Sequence, residues 1–484
     1  MTRKTVLLGL LAFPGFGCAA LPCWEQAKYG QQAAAVEGAM EATFPGWREP
    51  VDRQCERANL DYSVEPLVWP GHDKDHILVV SDLHAGVQGE SDDLRVSGES
   101  YAALLRSYGD GRSQLVLAGD GFDLAEAEVL LRDSSAKAHV QRIAANHRDL
   151  FDFFADWVRR GNDLVFIPGN HDTALQVAEV RAQVVLEIAK RMPGTACRED
   201  PRSILSQTYF VPAVYRVGPV LVTHGHQADV ANRTTRAGMQ VDGKACRFAS
   251  TDGFQAIKFF TPLEQTAGWL DNVQRLPEIA AGMIAVDIGG WALRKLAEAL
   301  EVPPEGFPSE APSRCAELTK ELWDELEREG REAMAPVSGE QWQATATRIA
   351  KLQLWGASLV ASSLETQKGV YDYAVSQLRR TPGAQVLVAG HTHEPPRVVN
   401  VADGMFYVNV GTWTASDLSL GSCEEAERFW RKPNHKFNSP SPVVVINLAN
   451  GKLVPPLPSI LEIGAESGTS RIGERPAQST ATGR

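Results

Sequence analysis

The stretch Ile77-Leu78-Val79-Val80-Ser81-Asp82-Leu83-His84-Ala85-Gly86 sets a short apolar run directly against an acid and a histidine two residues apart. Four consecutive aliphatic residues closed by a small polar one read as a strand buried on both faces. The pattern recurs four times further along the chain. Leu115–Leu117 precedes AGDGFD (Ala118–Asp123), and Leu164–Ile167 precedes PGNHD (Pro168–Asp172). Val220–Val222 precedes THGH (Thr223–His226), and Val386–Val388 precedes AGHTHEP (Ala389–Pro395). Asp, Asn and His thus recur at strand C-terminal ends, where open α/β sheets hold their ligands. One such motif is weak; five that carry only oxygen and imidazole donors point to a metal centre.

Outward from these motifs, His76 to about Asp229 alternates strand and helix, which is the pattern of an α/β domain. Helical stretches are expected at Ser100–Tyr108, at Ala125–Trp157 with interruptions, and at Thr173–Arg191. Between about Ala231 and Gln377 the apolar spacing becomes helical, as in Ile284, Ile288 and Trp291, then Leu318, Leu322 and Leu326. Pro303, Pro304, Pro308 and Pro312 mark a loop there. This segment reads as a helical insertion whose ends return to the same sheet. Met405–Val410 and Val443–Leu448 are two more strands that close it. The expected organisation is a signal sequence (1–20), an N-terminal extension (21–71), a core in two parts (72–230 and 378–460) around the insertion (231–377), and a disordered tail (461–484).

The 44% apolar and 22% charged content is ordinary for a globular protein, so function must come from the motifs. A net charge of −12 with scattered Lys and Arg argues against general nucleic-acid binding. Arg3 and Lys4, an uncharged stretch from Thr5 to Phe16, and Gly17-Cys18-Ala19-Ala20 have the order of a secretory signal. The expected location is therefore exported: periplasmic, secreted, or a cell-surface lipoprotein tethered to the membrane through Cys18. Gly17 suits acylation of Cys18, whereas Gly15 and Phe16 depart from the usual Leu-small-Gly pattern; ordinary cleavage after Ala20 is the other reading. Removal of Cys18 leaves Cys23, Cys55, Cys197, Cys246, Cys315 and Cys423, an even set that suits at least one disulfide in an exported protein. Buried free thiols are the other reading of the same six.

Two divalent ions about 4 Å apart can activate water and stabilise an in-line displacement at phosphorus. Asp82 and His84 can reach one ion from a single turn, and Asp120 has two oxygens with which to bridge. Asn170 offers a neutral amide oxygen, and His224, His391 and His393 offer imidazole. With Asp82, Asp120 and a bridging hydroxide, two such ions leave the site near about +1, enough to attract a phosphate anion. Mixed N/O ligation without thiolate suits Mn, Fe, Zn or Co better than Ca or Mg.

The ordered set DxH, GDxxD, GNHD, H and GHxH, spread over Ile77 to Trp413, resembles the calcineurin-like metallophosphoesterase family. The resemblance implies a four-layer α/β/β/α sandwich with a dinuclear metal site, here carrying a helical insertion. It places Asp82, His84 and His393 on the first ion, Asp120 as the bridge, and Asn170, His224 and His391 on the second. It gives His171 the role of assisting the leaving group, groups Asp172 with it as catalytic, and has Asp172 and Asp123 orient His171 or the metal ligands. GHTHEP followed by YVNVGTW is also similar to UDP-diacylglucosamine pyrophosphohydrolases. Those enzymes commonly carry Arg where this chain has His171, so their substrate is not carried over.

The expected function is an exported metal-dependent phosphoesterase that cleaves a phosphomonoester, phosphodiester or pyrophosphate, small or lipid-linked, by attack of a metal-bridging hydroxide. A non-catalytic, metal-bound envelope scaffold on the same fold is the alternative. His226 is expected to line the site, Trp413 to pack, and Asn409 to tie a turn. His72, His76, His139, His147 and His435 read as ordinary surface or core histidines. The insertion reads as a cap that selects substrate.

Overall fold

A computed structural model describes residues 36–37, 39–49, 74–87, 98–131, 135–192, 203–229, 369–393, 396–402, 404–414 and 441–454. It also describes short pieces at 53–54, 67–68, 92, 94, 232–233, 239–242, 245–248, 257, 261, 458–463 and 473–475. The expected signal sequence, the cysteine pairing and most of the insertion lie outside the described residues.

In chain order the strands are β1 (Leu67–Val68), β2 (His76–Val80), β3 (Ser113–Ala118), β4 (Asp163–Ile167) and β5 (Thr208–Phe210). Then come β6 (Val214–Val217), β7 (Val220–Thr223), β8 (Met239–Asp242), β9 (Ala245–Phe248), β10 (Val386–Ala389) and β11 (Arg397–Ala402). The last are β12 (Met405–Asn409), β13 (Ser441–Ala449), β14 (Lys452–Leu453), β15 (Ser459–Ile463) and β16 (Gly473–Arg475). The helices are α1 (Gly98–Tyr108), α2 (Leu124–Leu130), α3 (Ala136–Asn146), α4 (Arg148–Arg159), α5 (Ala178–Ala189) and α6 (Ser203–Gln207), followed by helical residues 369–380. The chain is therefore mixed α/β.

The motif-bearing strands divide between two sheets, and β7 and β10, on either side of the insertion, pair in the same one. An eight-stranded sheet runs β16-β15-β13-β2-β3-β4-β5 with β14 on β13, and a six-stranded sheet runs β1-β6-β7-β10-β12-β11. β2 to β5 pair in parallel, as do β7, β10 and β12, so each sheet brings its motif-bearing C-terminal ends to one edge. An apolar run says that both faces of a strand are covered, not which sheet covers them. The change of sheet comes at Val211–Ala213, between β5 and β6.

Period-two alternation divides each strand between two cores. Ile77, Val79, Val116, Ala118, Val165 and Ile167 pack with Tyr215, Val220, Val222, Val386, Val388 and Val408 of the other sheet. Their neighbours Leu78, Val80, Leu115, Leu117, Leu164 and Phe166 pack instead with Leu104, Phe151, Phe154, Trp157, Val184 and Ile188 of the helices. On the far face of the six-stranded sheet, Leu221, Leu387 and Tyr407 join Val370, Ala374 and Leu378. Each such fully buried aliphatic or aromatic side chain contributes about 1.5–3 kcal/mol, so the strand ends sit on a stiff support.

The described parts of the insertion are not all helical: β8 and β9 form an antiparallel pair near its start. Asp242-Gly243 is a hairpin signal that the broader helical spacing hides. Residues 461–463 and Gly473–Arg475, assigned above to a disordered tail, are strand, with Ile460 and Leu461 buried. Among the described residues no helix is long and apolar enough to cross a membrane.

Candidate metal centre

Five of the seven sequence-predicted ligands adopt a left-handed backbone: Asp82 (φ 53°), His84 (47°), Asp120 (50°), His391 (72°) and His393 (49°). The only other non-glycine residue so placed among those described is Asn450. The conformation costs an ordinary residue about 1 kcal/mol or more, and clusters of it mark functional sites. Here it turns each chain sharply at the end of its strand and sends the side chains to a common point. Two glycines make room for them. A Cβ on Gly119 (φ 93°) would run into the His224 ring, and one on Gly169 into the Asp120 carboxylate. That is why the motifs read GD and GN.

Asp82, His84 and His393 offer donor atoms within 4.8 Å of one another, and so do Asp120, His224 and His391. His393 Nε2 lies 3.2 Å from Asp82 Oδ1, and His84 Nε2 lies 3.2 Å from His393 Nε2. His84 Nδ1 donates to Asp123 Oδ2 at 3.1 Å, so in the neutral tautomer the lone pair is on Nε2. That lone pair faces His393 and, at 4.0 Å, Asp120 Oδ2.

The second group repeats the logic. His224 Nδ1 donates to the Ala118 carbonyl at 2.9 Å. Its Nε2 then faces Asp120 Oδ2 at 3.0 Å and Asn170 Oδ1 at 3.1 Å. A neutral imidazole lone pair against two oxygens is repulsive unless a proton or cation sits among them. The donor set therefore fits a cation, and buried His and Asp clusters of this kind could bind a metal ion.

Electrostatics point the same way. Among the described residues, the ion-pair partners of Asp82, Asp120 and Asp123 are all histidines. Burial works against ionisation of Asp82, but His224 and then His393 outweigh it and hold the carboxyl below its usual range. Asp120 is likewise held well below that range, against burial, by His224 and then His171. Burial also opposes a charge on His224, yet Asp120 and then Asp82 raise its pKa to about 9. Positive charge among these carboxylates is strongly favoured, whether carried by protons or by a metal.

His171 stands beside the first group. Its Nδ1 meets Asp123 Oδ2 at 3.0 Å, and its ring packs edge-on to His84 at 4.5 Å between centroids. Asp123 thus holds two histidines with one oxygen, while its other oxygen caps α2 by accepting from Glu126 N at 2.8 Å. The His171 and His393 side chains are 21% and 31% exposed, against 0% for Asp82 and His224, so the group opens to solvent on their side.

Of the two roles expected for Asp172, its contacts fit orientation of the metal-ligand loops. Its carboxylate accepts the backbone N–H of Gly169 (2.6 Å), Gly121 (2.9 Å), Asp120 (3.3 Å) and Phe122 (3.3 Å). It ties the β3 and β4 loops together. Burial and then the Asp120 charge push Asp172 up to about 7, against those N–H groups. Asn409 does tie a turn, accepting from Gly411 N at 3.2 Å, and it also donates to Thr392 Oγ1 at 3.0 Å between the two histidines of the last motif. Trp413 packs: it is buried and stacked near Tyr101, its indole N–H donates to the Pro442 carbonyl, and its backbone N–H accompanies Thr412 Oγ1 in donating to the Asp82 carbonyl.

His226 is buried with its ring 5.3 Å from His224 and 6.4 Å from His391, and so lines the site from behind. Of the histidines read as ordinary, His76 meets Asn447 Oδ1 and His147 meets Asp92 Oδ2, neither of them a predicted ligand. Sequence reasoning missed Asp229, which is buried with Oδ2 3.0 Å from His391 Nε2. It sits five residues beyond His224 in a turn rather than at a strand end, so the pattern that found the others passes over it. No family model matches the chain, and no curated protein matches it either.

Proposed function

We propose that this chain is a metal-dependent phosphoesterase of the calcineurin-like type, built as a four-layer α/β/β/α sandwich. The three apolar cores, helix against sheet, sheet against sheet, and sheet against helical residues 369–380, support that layering. The observation that carries the functional reading is the convergence of seven predicted ligands from two sheets into two groups linked at Asp120. On this reading Asp82, His84 and His393 hold one cation, Asn170, His224 and His391 the other, and Asp120 bridges. A pair of Mn, Fe, Zn or Co ions bound there would acidify water and polarise a phosphoryl oxygen.

The chain's own groups supply the rest. With Nδ1 engaged by Asp123, a proton on Nε2 is the one that His171 can deliver to a departing oxygen. The carboxylate behind it favours the charged ring that must hold this proton until the bond breaks. The exposed side between His171 and His393 gives a phosphomonoester, phosphodiester or pyrophosphate, small or lipid-linked, its approach. An exported protein, tethered at Cys18 or released, remains the proposed setting. A non-catalytic scaffold would have no use for a solvent-facing histidine backed by a buried carboxylate.

Hydrolysis of nitrophenyl and bis-nitrophenyl phosphate, with Mn added and then chelated, tests the reading. Metal-stimulated turnover that His171→Ala slows without loss of bound metal is expected. Absence of turnover on any phosphoester at full metal loading would refute it.

A further inference from the structure

The network behind the second ligand group contains two residues outside the motif set. Asp229 Oδ2 receives His391 Nε2 at 3.0 Å and Asn232 Nδ2 at 2.7 Å. Asn232 Oδ1 in turn faces Asn170 Nδ2 at 3.5 Å. The turn is closed by its own backbone, since Asn232 N and Arg233 N both donate to the Asp229 carbonyl, at 3.2 and 2.7 Å. Asp229 itself follows a short 3₁₀ turn, His226–Ala228, that leaves the His224 motif directly.

Each contact removes one ambiguity. A neutral imidazole whose Nε2–H is committed to a carboxylate has its lone pair on Nδ1. An amide whose NH2 is turned toward Asn232 must present its oxygen the other way, and Asn170 Oδ1 does lie 3.1 Å from His224 Nε2. The first ligand group receives the same treatment from Asp123, which fixes His84. In the second group the Ala118 carbonyl fixes His224, but nothing in the motif pattern supplies an equivalent for His391.

We infer that Asp229, relayed through Asn232, is the positioning carboxylate of the second cation site, setting the tautomer of His391 and the amide orientation of Asn170. The inference rests on the dinuclear reading above and adds residues to it. Loss of a carboxylate behind a metal-bound histidine lowers affinity about 10–100-fold. A purely structural residue would weaken both sites alike; a positioning residue weakens one.

The test is Mn titration of the full chain, followed by equilibrium dialysis and by electron paramagnetic resonance, for wild type, Asp229→Ala, Asp229→Asn and Asn232→Ala. Wild type should take up two ions with a spin-coupled spectrum. Asp229→Ala should bind the first ion unchanged and the second about 10–100-fold more weakly, with a spectrum of isolated Mn. Asp229→Asn retains an oxygen that can accept both donors and should recover most of that loss. Asn232→Ala should weaken the second site less than Asp229→Ala does, and serves in its place if the latter fails to fold. Two equally tight ions in Asp229→Ala, or in Asn232→Ala where it stands in, would overturn the inference while leaving the dinuclear reading intact. Failure of wild type to bind a second ion would overturn both.

Discussion

Asp123→Asn should separate three roles that one carboxylate now fills. Oδ1 caps α2 through Glu126 N, and Oδ2 receives both His84 Nδ1 and His171 Nδ1. An amide has one oxygen, so it can serve the cap or the histidines but not both. The cap is worth about 1 kcal/mol. Hydrogen bonds to a charged group are worth about 1.5–3 kcal/mol each, against about 1 for a neutral one. The amide oxygen should therefore turn to the histidines, losing the cap and downgrading both imidazole contacts. The total is about 2–5 kcal/mol, divided unequally among observables. About 1 kcal/mol should appear in urea unfolding of the metal-free protein. The remainder should appear as weaker binding at the first cation site, through His84, and as slower phosphoester turnover, through His171. The assay is a double-mutant cycle with His171→Ala. In that background Asp123→Asn should still weaken cation binding but cost little further turnover, because groups that act as a unit are non-additive. Equal fractional loss of turnover in both backgrounds would refute the arrangement.

Asp172→Asn should lower folding stability by about 2–5 kcal/mol, because its NH2 would confront two of the four buried N–H groups that the carboxylate now accepts. Turnover per metal-loaded folded molecule should change little; normal stability with abolished turnover would show that Asp172 acts in catalysis. The pH dependence of the metal-free protein should report His224. Its folded pKa of about 9 lies above the ordinary 6.5, so its contribution is fully present below pH 6.5 and is lost as pH rises through 9. The amount is on the order of 3 kcal/mol, and urea unfolding between pH 6 and 9.5 should show the decline. Cation-loaded protein should show no such decline, since the cation replaces the proton; a flat metal-free profile would contradict the assignment.

Much of the site was legible because it obeys one local rule. Asp82, His84, Asp120, Asn170, His224, His391 and His393 all follow within a few residues of an apolar run, and the structure brings every one of them together. The division of those runs between two sheets was not legible in the runs themselves; a second sheet was implied only by the resemblance. Val116 faces the other sheet and Leu117 faces the helices, yet both are simply aliphatic in the sequence. Second-layer residues were legible only when they lay inside a motif, as Asp123 and Asp172 did, and even then the sequence left open whether Asp172 serves His171 or the ligand loops. Asp229 and Asn232 belong to a turn whose meaning depends on His391 being folded against it from more than 150 residues away. The left-handed backbone at the ligands leaves no mark either, since Asp and His tolerate it without a glycine.

The central claim is that Asp120 lies between two cations. Crystals of the full chain reconstituted with Mn, measured at the metal's absorption edge, address it directly. The account predicts two anomalous peaks flanking the Asp120 carboxylate, one against Asp82, His84 and His393 and the other against Asn170, His224 and His391. A single peak, or peaks away from Asp120, would contradict it.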